Sequence, residues 1–377
     1  MKTMFDPIKI GAMTLPNRMI RSAVLEMGTV EDGRITFEMA KVFEELATKD
    51  IGLIITGMMG VDYNSCHFEG MARMYADDFA SQLKPIVDHV HSFGTKIVVQ
   101  LGHCGCKSTV IDKGDQPYAP SVIETAPGKF AKEMTEEEID ALVAAYGEAA
   151  RKCKEAGADG VQIHGAHGYL ISQFISPYYN KRTDKYGGTI ENRARVLFDA
   201  CRAIQKAAGK DYPLLVKINC KDLVDETITL EECVWVCKEL EKMGVLAVEI
   251  SAGVGISSKT SPAQRFAQKE ENEAYFSKEA NVIADQILIP VISVGGYRTP
   301  SVIERVLNEG NIAGISLGRP LILQPCLIKR WKDGNREKAQ CISCSRCFLS
   351  EKHGCKLKQR KEQIDAAAAK SEETAAV

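Results

Sequence analysis

Short apolar runs alternate with longer amphipathic stretches from Met19 to Trp331, and this alternation constrains the fold more than any other feature. The apolar runs predict strands at Met19–Val24, Gly52–Thr56, Lys96–Leu101, Gly160–His164, Leu214–Asn219, Ala247–Ser251, Ile289–Val294 and Gly314–Leu317. Helical periodicity lies between them, at Phe37–Thr48, Ala76–Phe93, Thr135–Glu155, Ile190–Ala208, Leu230–Lys242, Ser277–Asp285 and Ser301–Asn308, with a last stretch at about Pro320–Trp331. Eight strands, each followed by a helix, is the pattern of an α/β TIM (β/α)8 barrel. The rival is a doubly wound open sheet, which needs a glycine-rich fingerprint after its first strand. No G-x-G-x-x-G follows any strand here, and Gly253-Val-Gly255 lacks the third glycine. The pattern stops after Trp331. We divide the chain into a barrel (1–335), a short Cys-rich extension (336–358) and a charged, Ala-rich tail (359–377).

Composition narrows the function classes. A net charge of -2 carries no polyelectrolyte signal, so nucleic acid is not an expected partner. No apolar run approaches the ~20 residues of a membrane helix. The segment Met1–Pro7 lacks the apolar core of a secretory signal, and a cytoplasmic protein is expected. The 13 cysteines are odd in number and scattered, which argues against a secreted disulfide framework.

Barrel enzymes build their sites at the C-terminal ends of the strands. Those ends read Ser22-Ala23-Val24, Gly57-Met58, Gln100, His164 with His167, Lys217, Gly295-Gly296 and Gly318-Arg319. Alternate strand residues share a face, so Gly160, Gln162 and His164 lie together. Polar groups on an inward face are costly unless satisfied or used. Lys217 interrupts an apolar run, and its face is shared by Leu215 and Asn219, which favours the barrel mouth over a lysine snorkelling outward. Gln100 is either a satisfied core amide or a site group. After the last two strands, Gly295, Gly296, Gly318 and Arg319 suit a phosphate: glycines let backbone N–H groups approach, and the guanidinium supplies a charged fork. His164 and His167 lack a third ligand at metal spacing. They are core histidines or a pair that handles a carbonyl oxygen.

Nine stretches in order carry a resemblance: Phe5-Asp-Pro7, Leu15-Pro-Asn-Arg18, Gln100-Leu-Gly-His103, His164-Gly-Ala-His-Gly-Tyr169, Phe174-Ile-Ser-Pro177, Asn180-Lys-Arg182, Thr183-Asp-Lys-Tyr-Gly-Gly188, Glu191-Asn-Arg193 and Ser316-Leu-Gly-Arg-Pro320. Over roughly residues 5 to 330 the chain resembles the Old Yellow Enzyme family of FMN-dependent ene-reductases, especially its NADH:flavin oxidoreductase and 2,4-dienoyl-CoA reductase relatives. The resemblance implies one FMN across the barrel mouth. Ser22, Ala23 and Gly57 would line its ring, Gln100 would bond its pyrimidine edge, Lys217 would stand beside N1 and O2, and Gly295, Gly296, Gly318 and Arg319 would hold the phosphate. It further implies that His164 and His167 grip the carbonyl oxygen of a small α,β-unsaturated substrate. Hydride from NAD(P)H would reach the β-carbon by way of flavin N5, and Tyr169 would protonate the α-carbon. A homo-oligomer is left open, and so are the unsaturated compound reduced and the choice between NADH and NADPH. An alternative within the same chemistry is the barrel subunit of a multi-component iron–sulfur enoate, steroid or bile-acid reductase.

Three departures stand out. Many relatives carry Thr or Cys near positions 24 and 25, where this chain has Val24 and Leu25, neither of which can donate to the flavin. Many read Ala-Gly-Arg after the His103 position, where this chain reads Cys104-Gly-Cys106, with Lys107 adjacent. The run Cys341, Cys344, Cys347, Cys355 suits a [4Fe–4S] cluster, a zinc ion or reduced thiols, and its spacing is tighter than that of the larger reductases.

Overall fold

Parallel neighbours in a sheet need a long crossover, and the amphipathic stretches supply it. The computed structural model describes residues 1–66, 70–109, 116–257, 259–263, 267, 269–350 and 352–363. Its barrel strands are β1 (Met19–Arg21), β2 (Leu53–Gly60), β3 (Lys96–Gly102), β4 (Gly160–Gly165), β5 (Leu214–Asn219), β6 (Ala247–Ser251), β7 (Val291–Val294) and β8 (Gly314–Leu317). They pair in parallel and in chain order, and β8 closes the ring on β1 with Ile315 opposite Met19. The crossovers are α1 (Glu38–Ala47), α2 (Phe79–His91), α3 (Glu136–Glu155), α4 (Arg195–Ala208), α5 (Leu230–Lys242), α6 (Ser277–Ala284) and α7 (Pro300–Glu309). The expected (β/α)8 architecture is the one observed.

Local chemistry sets the element ends. Thr135 and Thr229 open α3 and α5 with capping boxes closed by Glu138 and Glu232. Pro290, which has no N–H to give a ladder, precedes β7, so that strand begins at Val291 rather than Ile289. The helix expected over Ile190–Ala208 is split at Ala194 into Ile190–Arg193 and α4. The break follows Arg193, whose buried guanidinium is held by Ile175 O at 2.7 Å, Gly188 O at 2.6 Å and Glu232 at 2.7 Å. The stretch expected over Pro320–Trp331 is two short helices, Arg319–Leu323 and Leu327–Lys332, separated by the segment that contains Pro325.

Three small sheets were not expected from the sequence, one of them the hairpin of Val30–Glu31 with Arg34–Ile35. A hairpin, Ile8–Ile10 against Met13–Leu15, precedes β1. Its Ile8, Ile10, Met13 and Leu15 join Ile20, Leu53, Val98, Leu215, Ala247 and Ile292 in a buried cluster of their own. The barrel's floor is therefore an apolar plug at the N-terminal ends of the strands. After β3 the chain also makes a small sheet of Tyr118–Ala119, Ile123–Ala126 and Lys129–Glu133.

The segment after the barrel packs onto it. Trp331 is buried and its Nε1–H donates to Glu337 O at 2.9 Å, while the carbonyl of the buried Ala339 accepts from Arg298. Residues 356–363 are helical, and 364–377 of the expected tail lie outside the described residues. Among the described residues no helix is long and apolar enough to cross a membrane.

If the hairpin is a plug, truncating it must open a void that the closed barrel cannot collapse. Ile10→Ala, at a fully buried position, is expected to lower unfolding free energy by about 2–5 kcal/mol. A urea denaturation series checks this, and an unchanged midpoint would remove the plug from the account.

Candidate active site

Two residues above the plug, the inward face of the strands turns polar. Gln100 Nε2 donates to Gln162 Oε1 at 2.7 Å, and Gln162 Nε2 donates to Glu249 Oε2 at 3.0 Å. Ser22 Oγ donates to Glu249 Oε1 at 2.8 Å. Lys217 Nζ reaches Ser22 Oγ at 3.0 Å and Glu249 Oε1 at 3.3 Å. All five side chains are buried. The order of donors follows from one end: a carboxylate only accepts, so Gln162 must turn its NH2 toward Glu249 and its carbonyl toward Gln100.

This network lies under a cavity of ≈1630 Å³ at the C-terminal ends of the strands, with Ser22, Ala23, Gln100 and Lys217 in its wall. Gly295, Gly296, Gly318 and Arg319 line it beside β7 and β8. Gly295 and Gly296 have φ of +136° and +77°, and a Cβ on either would lie 2.5–2.7 Å from the Tyr275 ring. Only glycine leaves the backbone exposed there. Ser316 Oγ, on β8 and in the wall, is buried with no hydrogen-bond partner. Arg319 lines the same end, and its Nη1 donates to Ser343 O and Ser345 Oγ, both at 3.0 Å.

His164, His167 and Tyr169 also meet in the wall. The ring of His164 lies 4.9 Å from that of His167 and 5.1 Å from that of Tyr169, edge to face in both cases. His167 adopts a left-handed backbone (φ 63°), which turns the chain so that three consecutive aromatic positions face one space. Its Nε2 is 2.8 Å from Ser251 Oγ, and its backbone N–H donates to Asn219 Oδ1 at 3.2 Å. His164 Nδ1 is buried without a partner. Burial, with Lys217 and Lys107 adding like charge, holds the pKa of His164 well below the usual imidazole value; burial, then His164, Lys217 and Lys107, does the same for His167. Burial pushes the Tyr169 phenol up, which keeps its proton in place. Lys107 Nζ sits 5.1 Å from the centre of the Tyr169 ring and donates to His167 O at 2.8 Å and to Val254 O. Burial lowers its pKa to about 8.

Not every expected site residue reaches the cavity. Gly57 does not line it: its N–H donates to both oxygens of Glu26 at 3.1 Å, and a Cβ would lie 2.6 Å from Glu26 Oε2. Glu26 is itself buried against Arg21 at 2.6 Å, and desolvation raises its pKa despite that partner. Gly57 thus lets the Arg21–Glu26 pair close behind the wall, while Val24 and Leu25 present apolar surface in front. Cys341, Cys344, Cys347 and Cys355 are half-buried free thiols. No three Cys, His, Asp or Glu side chains among the described residues converge as a metal-ligand set, so these four do not fit a cluster or zinc as placed. Sequence reasoning overlooked Glu249 and the bonding role of Gln162. The signal was present: Glu249 interrupts Ala-Val-Glu-Ile-Ser on the same alternation that marked Lys217 one strand earlier.

The sequence model of the NADH:flavin oxidoreductase / NADH oxidase family matches residues 3–338. The chain belongs to this family. Members of this flavin oxidoreductase family, which includes the Old Yellow Enzymes, account for the related proteins and structures that follow. An NADH oxidase of Thermoanaerobacter brockii is 34% identical over 347 residues, covering 91% of this chain and 52% of that protein. The structure of a 2-naphthoyl-CoA reductase complex superposes with a TM-score of 0.86 at 26% identity, covering 94% of this chain and 56% of that one. An Old Yellow Enzyme homologue from Zymomonas mobilis gives 0.73 at 28% identity, covering 89% and 94%. The chain spans about half the length (52%) of the first curated relatives it matches.

The depressed imidazole pKa values have a measurable sign. Below pH ~6.5 the unfolded chain takes up protons that buried His164 and His167 refuse, so these two groups lower stability as pH falls through that value. In histidine ring NMR spectra, with assignments from His164→Gln and His167→Gln, both rings are expected to titrate well below the ordinary imidazole value. A midpoint near 6.5 for either would show that solvent reaches it.

Proposed function

We propose that this chain is an FMN-dependent ene-reductase acting on α,β-unsaturated carbonyl compounds with NAD(P)H as donor. The observation that carries the reading is the convergence of two neutral imidazoles and a protonated phenol on one cavity wall, 4.9 and 5.1 Å apart by ring centres.

The residues present fit a phosphorylated flavin. The cavity-lining backbone of Gly295 and Gly296, the unpartnered Ser316 Oγ, Gly318 and the Arg319 guanidinium suit its phosphate. Gln100, Ser22 and Lys217 offer an amide, a hydroxyl and an ammonium to the polar edge of its ring, and Ala23 lines it. When bound, FMN supplies the carrier for hydride between NAD(P)H and the β-carbon of the acceptor.

The chain's own groups do the rest. Neutral His164 and His167 each have one N–H to offer, and together they hold and polarise a carbonyl oxygen. Protonated imidazoles would bind anions indiscriminately; neutral ones respond to the charge that develops as the double bond is reduced. Tyr169 keeps its proton until the α-carbon demands it. The ammonium of Lys107, 5.1 Å from the phenol ring centre, stabilises the phenolate left behind, and water then restores the proton. Hydride at one carbon and proton at the other complete a two-electron reduction.

Tyr169→Phe keeps the ring and removes only the proton. Turnover of a cyclic enone with NADH or NADPH is expected to fall by about 10²–10⁴-fold. Bleaching of the flavin bands by the nicotinamide is expected to persist. Undiminished turnover would take the proton-donor role from Tyr169. A colourless protein that cannot be reconstituted with FMN would sink the whole reading.

A further inference from the structure

Lys217 and Glu249 face each other in register on β5 and β6. Lys217 is in the cavity wall; Glu249 is fully buried behind it and is not. We infer that Glu249 is a positioning residue that compensates the charge of Lys217 and thereby holds the bound flavin at a low reduction potential. This rests on the reading of the cavity as an FMN site.

The argument begins with the cost of burial. An ammonium alone in the barrel interior pays a large desolvation penalty, which only close partners offset. Here the partners are Ser22 Oγ at 3.0 Å and Glu249 Oε1 at 3.3 Å. Glu249 is in turn held by Ser22 and Gln162, so three of the network's bonds end on its two oxygens. Such saturation fixes the carboxylate beside the lysine rather than leaving it to swing away.

The electrostatic consequence follows from distance. A lone cation in a poorly solvated wall favours the anionic reduced flavin by simple attraction. A cation whose counter-charge is 3.3 Å away acts on a third group as a dipole, and its field falls off faster. The preference for the reduced state is correspondingly weakened. In the adjoining wall Val24 and Leu25 are apolar, and neither side chain can donate to the ring. The geometry makes the lysine a group that orients the ring while contributing little net charge.

The experiment is a spectroscopic redox titration of the FMN-loaded protein against a reference dye, which gives the ratio of affinities for reduced and oxidised FMN. In Glu249→Gln the lysine is uncompensated, and the ratio is expected to rise by about tenfold or more, which is about 30 mV for this two-electron couple. Glu249→Asp, which keeps the charge, is expected to stay within tenfold of wild type. Lys217→Gln combined with Glu249→Gln carries the same amide change without the cation, and is also expected to stay within tenfold. A single Gln variant that folds, binds FMN and shifts less than tenfold overturns the proposal. Should that variant fail to fold, the double variant decides, since a shift of tenfold or more there overturns it equally. FMN that is retained and bleached by NAD(P)H in a protein insensitive to Glu249 would sink this inference alone. A wild-type protein that never binds FMN would sink the functional reading with it.

Discussion

Closing eight parallel strands into a ring gives each strand one face that sees only other strands. Nothing on that face reaches bulk water except at the two ends, so every inward residue must be apolar or must find its partner on another strand. Side chains alternate with a period of two, so a step of two residues changes the layer without changing the face. In this chain the first layers are Ile20, Leu53, Val98, Leu215, Ala247 and Ile292, sealed by the hairpin Ile8–Leu15. The next is Ser22, Gln100, Gln162, Lys217 and Glu249, every one bonded to another member. The plug lets the polar layer exist, because water entering from below would compete for each of its bonds.

A polar layer of this kind is strongly directional. One acceptor-only carboxylate dictates which way two amides point, across three strands, and it also supplies the counter-charge of Lys217. Networks like this are costly when incomplete and rigid when complete. The wall above inherits that rigidity. It is also why the Arg21–Glu26 pair matters despite lying outside the cavity: the carboxylate takes the Gly57 N–H, the guanidinium takes Ile55 O and Val24 O, and together they hold the ends of β1 and β2 in place.

The barrel was legible because its signal is a repeated alternation, and the polar residues at strand ends were legible because each breaks an apolar run. Lys217 and Gln100 stood out in that way, and the glycines by their place after the last two strands; all of these line the cavity. Gly57 was not placed correctly in front of the ring site, because a glycine at a strand end reads the same whether it faces a ligand or a buried Glu26 from a preceding loop. Glu249 passed unnoticed because the chain was read strand by strand, and its meaning lies in the strand beside it. The hairpin plug is two three-residue strands, too short for any periodicity. In the Cys run, Ser343 and Ser345 are both left-handed and both bond Arg319, a turn that cysteine spacing does not encode. Helix ends failed where a tertiary contact at Arg193 overrode propensity.

The register of β5 against β6 joins the two halves of the site. Lys217 pairs with Glu249, and two residues on, Asn219 pairs with Ser251. The first pair belongs to the charge layer. The second holds His167, through its backbone N–H on Asn219 and its ring on Ser251. One strand pair therefore positions both the charge pair beneath the cavity and His167 in its wall. A one-residue slip of either strand would turn both of its side chains outward together. Independent loops could hold these two functions, but their spacing would then vary with loop motion. Placed on consecutive inward positions of one ladder, the two are kept a fixed distance apart by the strand itself.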